Sequence, residues 1–177
     1  DTGDTNQVSA LISDGITIGS STNTNANSEN LVGWFWRAGG GAGSSNTAGT
    51  INTTTTSVNT TAGFSISTYT GTGSASTIGH GLGVAPKVVM IKRRDDSGDW
   101  RVFTEMTGNQ SQLSLNQTSA ADSSNTTMWN STSPTTTTFS IGTHSNVNSS
   151  GGTFVAYCFA EIKGYSKFGS YKGNGST

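Results

Sequence analysis

Two stretches of this chain repeat one another at identical spacing, and that repeat restricts the fold more than any other feature. ITIGSSTNTNANSENLVGWFWRAGG, from Ile16 to Gly40, aligns without gaps on FSIGTHSNVNSSGGTFVAYCFAEIKG from Phe139. Ile18-Gly19 falls on Ile141-Gly142, Asn23 and Asn25 on Asn146 and Asn148, and Leu31 to Trp34 on Phe154 to Tyr157. A shorter match links STYTGTGS (Ser67 to Ser74) with GSYKGNGST (Gly169 to Thr177), pairing Tyr69 with Tyr171 and the glycines that follow each tyrosine. Internal repeats mark arrays whose units pack on their neighbours. The order along the chain then reads as closing strands of a preceding unit (1–39), a Gly/Ser/Thr-rich linker (40–62), one complete unit (63–164) and the opening strand of a following unit (165–177).

Within the complete unit, GFSISTYTG alternates Phe64 and Ile66 against Ser65 and Ser67, the period-2 pattern of a half-buried strand. KVVMIKRR and DWRVFTEM follow as strands around the turn residues DDSG. QLSLN, TFSIGT and TFVAYCFAEI are further strands, with Ser/Thr/Asn loops between them. Apolar residues never align at a 3.6-residue period over more than about two turns, so helices are not expected. About six or seven short strands joined by polar loops predict an all-β protein, an antiparallel β-sandwich of jelly-roll-like form. Its terminal strands belong to neighbouring units, with Leu31 to Trp36 and Tyr165 to Tyr171 packed on other units or copies.

Composition narrows the function. Thr, Ser, Gly and Asn supply about half of the chain, hydrophobic residues only 31%, charged residues 11%, and the formal net charge is -1. Nucleic-acid binding needs a basic face that this balance does not provide. No apolar run approaches the roughly 20 residues of a membrane span. The opening DTGDTNQ has neither the basic region nor the apolar core of an export signal. The lone cysteine, Cys158, excludes an intrachain disulfide and leaves too few thiols for structural zinc.

The glycine-rich run GHGLGVAPK is the first candidate for chemistry. A phosphate-binding loop requires a helix after its glycines, whereas here Pro86 and a β-branched strand follow. His80, Gly81, Gly83 and Pro86 are therefore read as a structural turn between strands, with the His80 ring bonded to the turn backbone. No G-x-S-x-G elbow accompanies His80 or His144, and His144 aligns with Ser21, which argues against an imidazole role in every unit. Cys158 aligns with Phe35, an exchange that a core filler tolerates and a thiol nucleophile does not. In RRDDSGDW the acidic side chains lack the D-x-D-x-D-G spacing of a calcium loop and adjoin arginines, so ion pairs at a hairpin tip are expected. Neither a catalytic set, a metal nor a cofactor is assigned.

The aromatic residues divide into two groups. Trp34 and Trp36 stand two apart on one strand face, as core or interface residues do, and Phe168 and Tyr171 are placed with them at unit interfaces. Trp129 in TTMWNST, with Asn130 beside it, and Trp100 are candidates for exposed contact with a ligand such as a host-surface glycan.

The combination GFSISTYTGTGSASTIGHGLGVAPKVVMIKRR and FVAYCFAEIKGYSKFGSYKGNGS resembles repeated domains in large structural proteins of marine bacteriophages, in tail-fibre-like or other virion-associated chains. VGWFWRAGG resembles the closing strand of a preceding unit in such proteins. His80-Gly81-Leu82-Gly83 with Pro86 is similar to H-x-L-G-x-x-P turns in β-rich phage tail and receptor-binding proteins. The resemblance implies placement on a virion, outside the cell, a β-sandwich unit, and other copies or repeat units as partners. The expectation is a structural and adhesive module rather than an enzyme, with a carbohydrate-binding module as the alternative and a polysaccharide depolymerase fragment as a third reading.

Overall fold

The computed structural model describes residues 6–175, so the outermost residues of the expected first and last segments lie outside the described part. The chain forms two compact units, Asp1–Trp36 and Arg37–Thr177.

In the first unit, strands β1 (Val8–Ile12) and β2 (Gly15–Ile18) pair antiparallel, with a bulge between Val8 and Ala10. A single helical turn, α1 (Thr22–Asn25), follows, its N-terminus capped by the Ser21 hydroxyl, which accepts from the Asn23 N–H. Residues 31–36, expected as a strand packed on another unit or copy, lie in no strand within the chain.

The second unit is almost wholly β. Its strands are β3 (Thr55–Asn59), β4 (Phe64–Thr70), β5 (Ser76–Gly79), β6 (Val88–Arg93), β7 (Arg101–Thr104), β8 (Leu113–Ser114), β9 (Thr138–Ile141) and β10 (Thr153–Phe159), with a one-turn helix α2 (Ser145–Asn148) before the last. Six of them form one antiparallel sheet in the order β3-β4-β10-β6-β7-β8, and β5 pairs with β9 in a second layer. The last strand is thus central, which closes the sheet by non-local pairing.

Alternation explains how the layers meet. Phe154, Ala156, Cys158 and Ala160 are buried along β10, while the intervening Val155, Tyr157 and Phe159 are half-buried. Their inner faces join Tyr69, Val89, Ile91 and Phe103 of the large sheet to Ile78, Phe139 and Ile141 of the small one in a single core. Each large apolar side chain so buried contributes about 1.5–3 kcal/mol. The small inner residues Ser65, Ser67, Ala156 and Cys158, all at most 1% exposed, leave room for the second layer. Three of the core hydroxyls form a chain: Thr53 and Thr56 share a hydrogen bond of 2.9 Å, Thr56 and Ser67 one of 3.0 Å, and Ser67 donates to the Gly79 carbonyl at 3.2 Å. Hydroxyls therefore serve as core residues here, which is how so polar a composition closes a sandwich.

One expectation needs correction. The tract 40–62, read as a linker, is built into the second unit: β3 pairs with β4, and Ile51, Thr53 and Thr56 are buried. A Thr-rich strand can hide its backbone by pairing at a sheet edge, and composition alone does not distinguish that from a flexible spacer. Within the chain Tyr165 lies in a turn closed by the Ile162–Ser166 bridge, and residues 167–171 after it lie in no strand. Among the described residues no helix is long and apolar enough to cross a membrane.

Candidate functional site

The solvent face of the six-stranded sheet carries a row of aromatic rings. Cross-strand register places Tyr157 opposite Ile66 on one side and Met90 on the other, and Phe159 opposite Phe64 and Val88. Trp100 lies against Tyr157 (centroids 5.9 Å), Tyr157 stacks on Phe64 (6.4 Å, planes 14° apart), Phe64 meets Phe159 (4.9 Å), and Phe168 closes the row edge-on to Phe159 (6.4 Å). Spacings of this order are those of interacting aromatic pairs. Phe64 is buried beneath the row, while Trp100, Tyr157, Phe159 and Phe168 remain half-exposed.

Both ends of the row are held by polar clamps. The Trp100 N–H donates to Asn116 Oδ1 (3.1 Å), and Asp99 accepts from Asn116, Gln117 and Arg101 at 2.9–3.0 Å. These bonds tie the loop before β7 to the loop after β8 and so set the indole beside Tyr157. At the other end, the Phe168 N–H donates to Glu161 Oε1 (3.2 Å), after a turn in which Ser166 Oγ donates to the Ala160 carbonyl (3.2 Å). Burial pushes the Tyr157 phenol above its ordinary range, against the charge of Arg94, so at neutral pH the ring presents a neutral hydroxyl beside its apolar face.

The other sequence candidates fall elsewhere. Trp129 is 2% exposed, donates its indole N–H to the Ser111 carbonyl (2.9 Å) and meets Phe103 edge-on. It is a core residue, not the exposed contact expected from its polar neighbours, because the loop around it folds inward with Met128 also buried. Asn130 is exposed at positive φ, but its neighbouring ring points away from solvent, so the two form no joint contact. Trp34 and Trp36 stack at 6.4 Å on the first unit, 73% and 50% exposed, and Tyr171 is 97% exposed.

His80 lies fully buried in its turn: Nδ1 accepts from the Leu82 N–H (3.1 Å), Nε2 faces the Thr135 carbonyl (3.2 Å), and Gly81 and Gly83 take positive φ. Pro86 is buried just ahead of β6. Both histidines have a lowered pKa, chiefly through burial. The buried Cys158 thiol is pushed up to about 12 by burial, far from the thiolate a nucleophile needs. Among the described residues no group of three or more His, Cys, Asp or Glu side chains gathers into a potential metal site.

Sequence reasoning missed Tyr157 and Phe159 as surface residues, although a signal was present. Tyr157 and Phe159 align with Trp34 and Trp36, and an aromatic pair kept at the same alternate positions in both copies marks a common face. Around the Ile-Gly pair and the one-turn helix the repeat also holds in three dimensions. The Asn25 amide donates to the Gly19 carbonyl (2.8 Å) as Asn148 does to Gly142 (2.7 Å), and Ser21 caps α1 as His144 caps α2. A Cβ on Gly19 or on Gly142 would run into backbone, of Asn6 and Thr127 respectively, which explains the shared Ile-Gly pair.

No curated protein and no solved structure matches the chain. One family, described as a domain of unknown function (DUF7483), matches residues 1–177. The chain, with its duplicated half-unit and aromatic outer face, therefore belongs to the DUF7483 family.

Proposed function

We propose that the chain is a structural and adhesive module of a phage virion appendage, a tail fibre or a filament or decoration subunit, working outside the cell by assembly and contact and not by catalysis. The observation that carries this reading is the recurrence of exposed or half-exposed aromatics at matched positions of a repeated half-unit, Trp34 and Trp36 in one copy and Tyr157 and Phe159 in the other. A large apolar surface repeated from unit to unit suits packing between units, and the resemblance to virion-associated repeats supplies the setting. Antibodies raised against the chain, applied with gold labels to particles that carry this sequence, are expected to decorate the tail or its fibres. Intact particles free of label would overturn the assignment.

A second reading is favoured by Trp100 and Tyr157, whose half-exposed rings sit beside Asp99, Asn116 and Gln117, the mixture that stacks on and hydrogen-bonds sugars. On this reading the row binds a host-surface glycan. Saturable binding on a glycan array, weakened about tenfold or more by Trp100→Ala, would establish it, and absence of binding leaves assembly alone.

A further inference from the structure

The first unit holds half of an arrangement that the second unit completes. In the second unit β10 lies beside β4, with Phe154 opposite Tyr69, Ala156 opposite Ser67 and Tyr157 opposite Ile66. The turn after β4 is fastened by the fully buried Asn148: its Oδ1 accepts from the Thr72 N–H (2.8 Å), while its Nδ2 donates to the Ser74 and Gly142 carbonyls (both 2.7 Å). Tyr69 stacks on Phe154 (5.2 Å) and donates its hydroxyl to the Val147 carbonyl (2.7 Å).

Among its described residues the first unit repeats the β9–α2–β10 portion without a counterpart of β4. Asn25 makes the bond to Gly19 that Asn148 makes to Gly142, yet it stands exposed. The β10-like residues Leu31, Val32, Trp34 and Phe35 are 55–76% exposed and in no strand. A segment that matches the end of β4 and its turn lies at Gly169 to Gly175, which align with Ser67 to Gly73, and its Tyr171, the counterpart of Tyr69, is 97% exposed.

We infer that residues 31–36 of one copy pair as an antiparallel strand with residues 166–171 of a second copy, in the β10–β4 register. That register sets Leu31 opposite Tyr171, Gly33 opposite Gly169 and Trp34 opposite Phe168, and it brings Asn25 Oδ1 to the Asn174 N–H. On the inner face Gly33 meets Gly169, as Ala156 meets Ser67, between the pairs Leu31–Tyr171 and Phe35–Lys167, and on the outer face Trp34 meets Phe168, extending the ring row from copy to copy. Because the two surfaces differ, the contact is head-to-tail and propagates into chains of copies. The inference deepens the proposed function and rests only on its structural-module part.

Sedimentation of the 177-residue chain from about 1 µM to about 1 mM, the range of weak to moderate association, is expected to show growth beyond a dimer. Trp34→Lys spoils the head and Phe168→Lys the tail, so each variant alone is expected to remain monomeric with an unchanged circular dichroism spectrum. A mixture of the two retains one good head and one good tail and should form a dimer and nothing larger. Asn25→Ala should weaken association about tenfold. A wild-type chain that stays monomeric, a mixture that does not dimerise, or a dimer indifferent to Phe168→Lys would each overturn the inference. Labelled particles with no association in solution would remove this contact and leave the appendage reading, and the converse result would do the reverse.

Discussion

At the scale of single residues, the polar composition is deceptive, because several polar side chains are core. His80 is the clearest. Buried in its turn, it accepts from Leu82 and faces the Thr135 carbonyl, which requires the neutral ring with its proton on Nε2. His80→Ala removes both partners and leaves a cavity, and is expected to destabilise the protein by about 2–4 kcal/mol, read as a lowered denaturation midpoint at pH 8. An unchanged midpoint would mean that the turn holds without its ring. Cys158 is the converse case: its neutral thiol is one more inner-face filler, and Phe35 holds the matching place in the repeat.

At the scale of elements, the two one-turn helices make one device with different caps. His144 accepts from the Asn146 N–H through Nδ1 (3.1 Å), and Ser21 does the same for Asn23 through a hydroxyl. Burial, followed by the charge of Arg101, lowers the His144 pKa, and burial lowers that of His80. The unfolded chain therefore takes up protons first as pH falls below about 6.5, the ordinary histidine value. Stability is full above that pH and declines below it, down through the lowered folded-state values. His144→Ser keeps a cap and removes one of the two titrating rings. Its stability at pH 8 should stay within about 1 kcal/mol of wild type, and its loss between pH 7 and pH 5, followed by denaturant titration, should be smaller. An equal loss would show that His144 takes no part in the acid response.

For the molecule as a whole, the boundary between compact units lies at Trp36 and Arg37 and not after the Gly/Ser/Thr tract. A fragment beginning at Arg37 keeps β3 and the hydroxyl chain through Thr53, Thr56 and Ser67, and should melt close to the main transition of the full chain. A fragment beginning at Gly63 loses the strand beside β4 and the cover over Ser67. Its midpoint should fall by at least about 10 °C, or cooperative melting should vanish. Equal melting of both fragments would return the tract to the status of a linker.

Much of this fold was legible in the sequence because strand alternation is local: Phe64 to Tyr69 and Phe154 to Phe159 announce their two faces by period alone. The repeat was legible too, since equal spacing needs no structure to be seen. What alternation cannot state is which face meets a second layer. Tyr157 and Phe159 face outward, and the inner positions of β10 and β4 hold Ala156, Cys158, Ser65 and Ser67, a choice made by the packing of β5 and β9 and not by hydrophobicity. Trp129 shows the same limit, because its polar neighbours describe its loop while the carbonyl of Ser111 and the ring of Phe103 decide its burial. By itself the sequence determined an antiparallel β unit and its partial copy, through pattern and spacing. Only the tertiary structure decided which threonines are core, which aromatics are surface and where the units divide, because those depend on contacts between residues far apart along the chain.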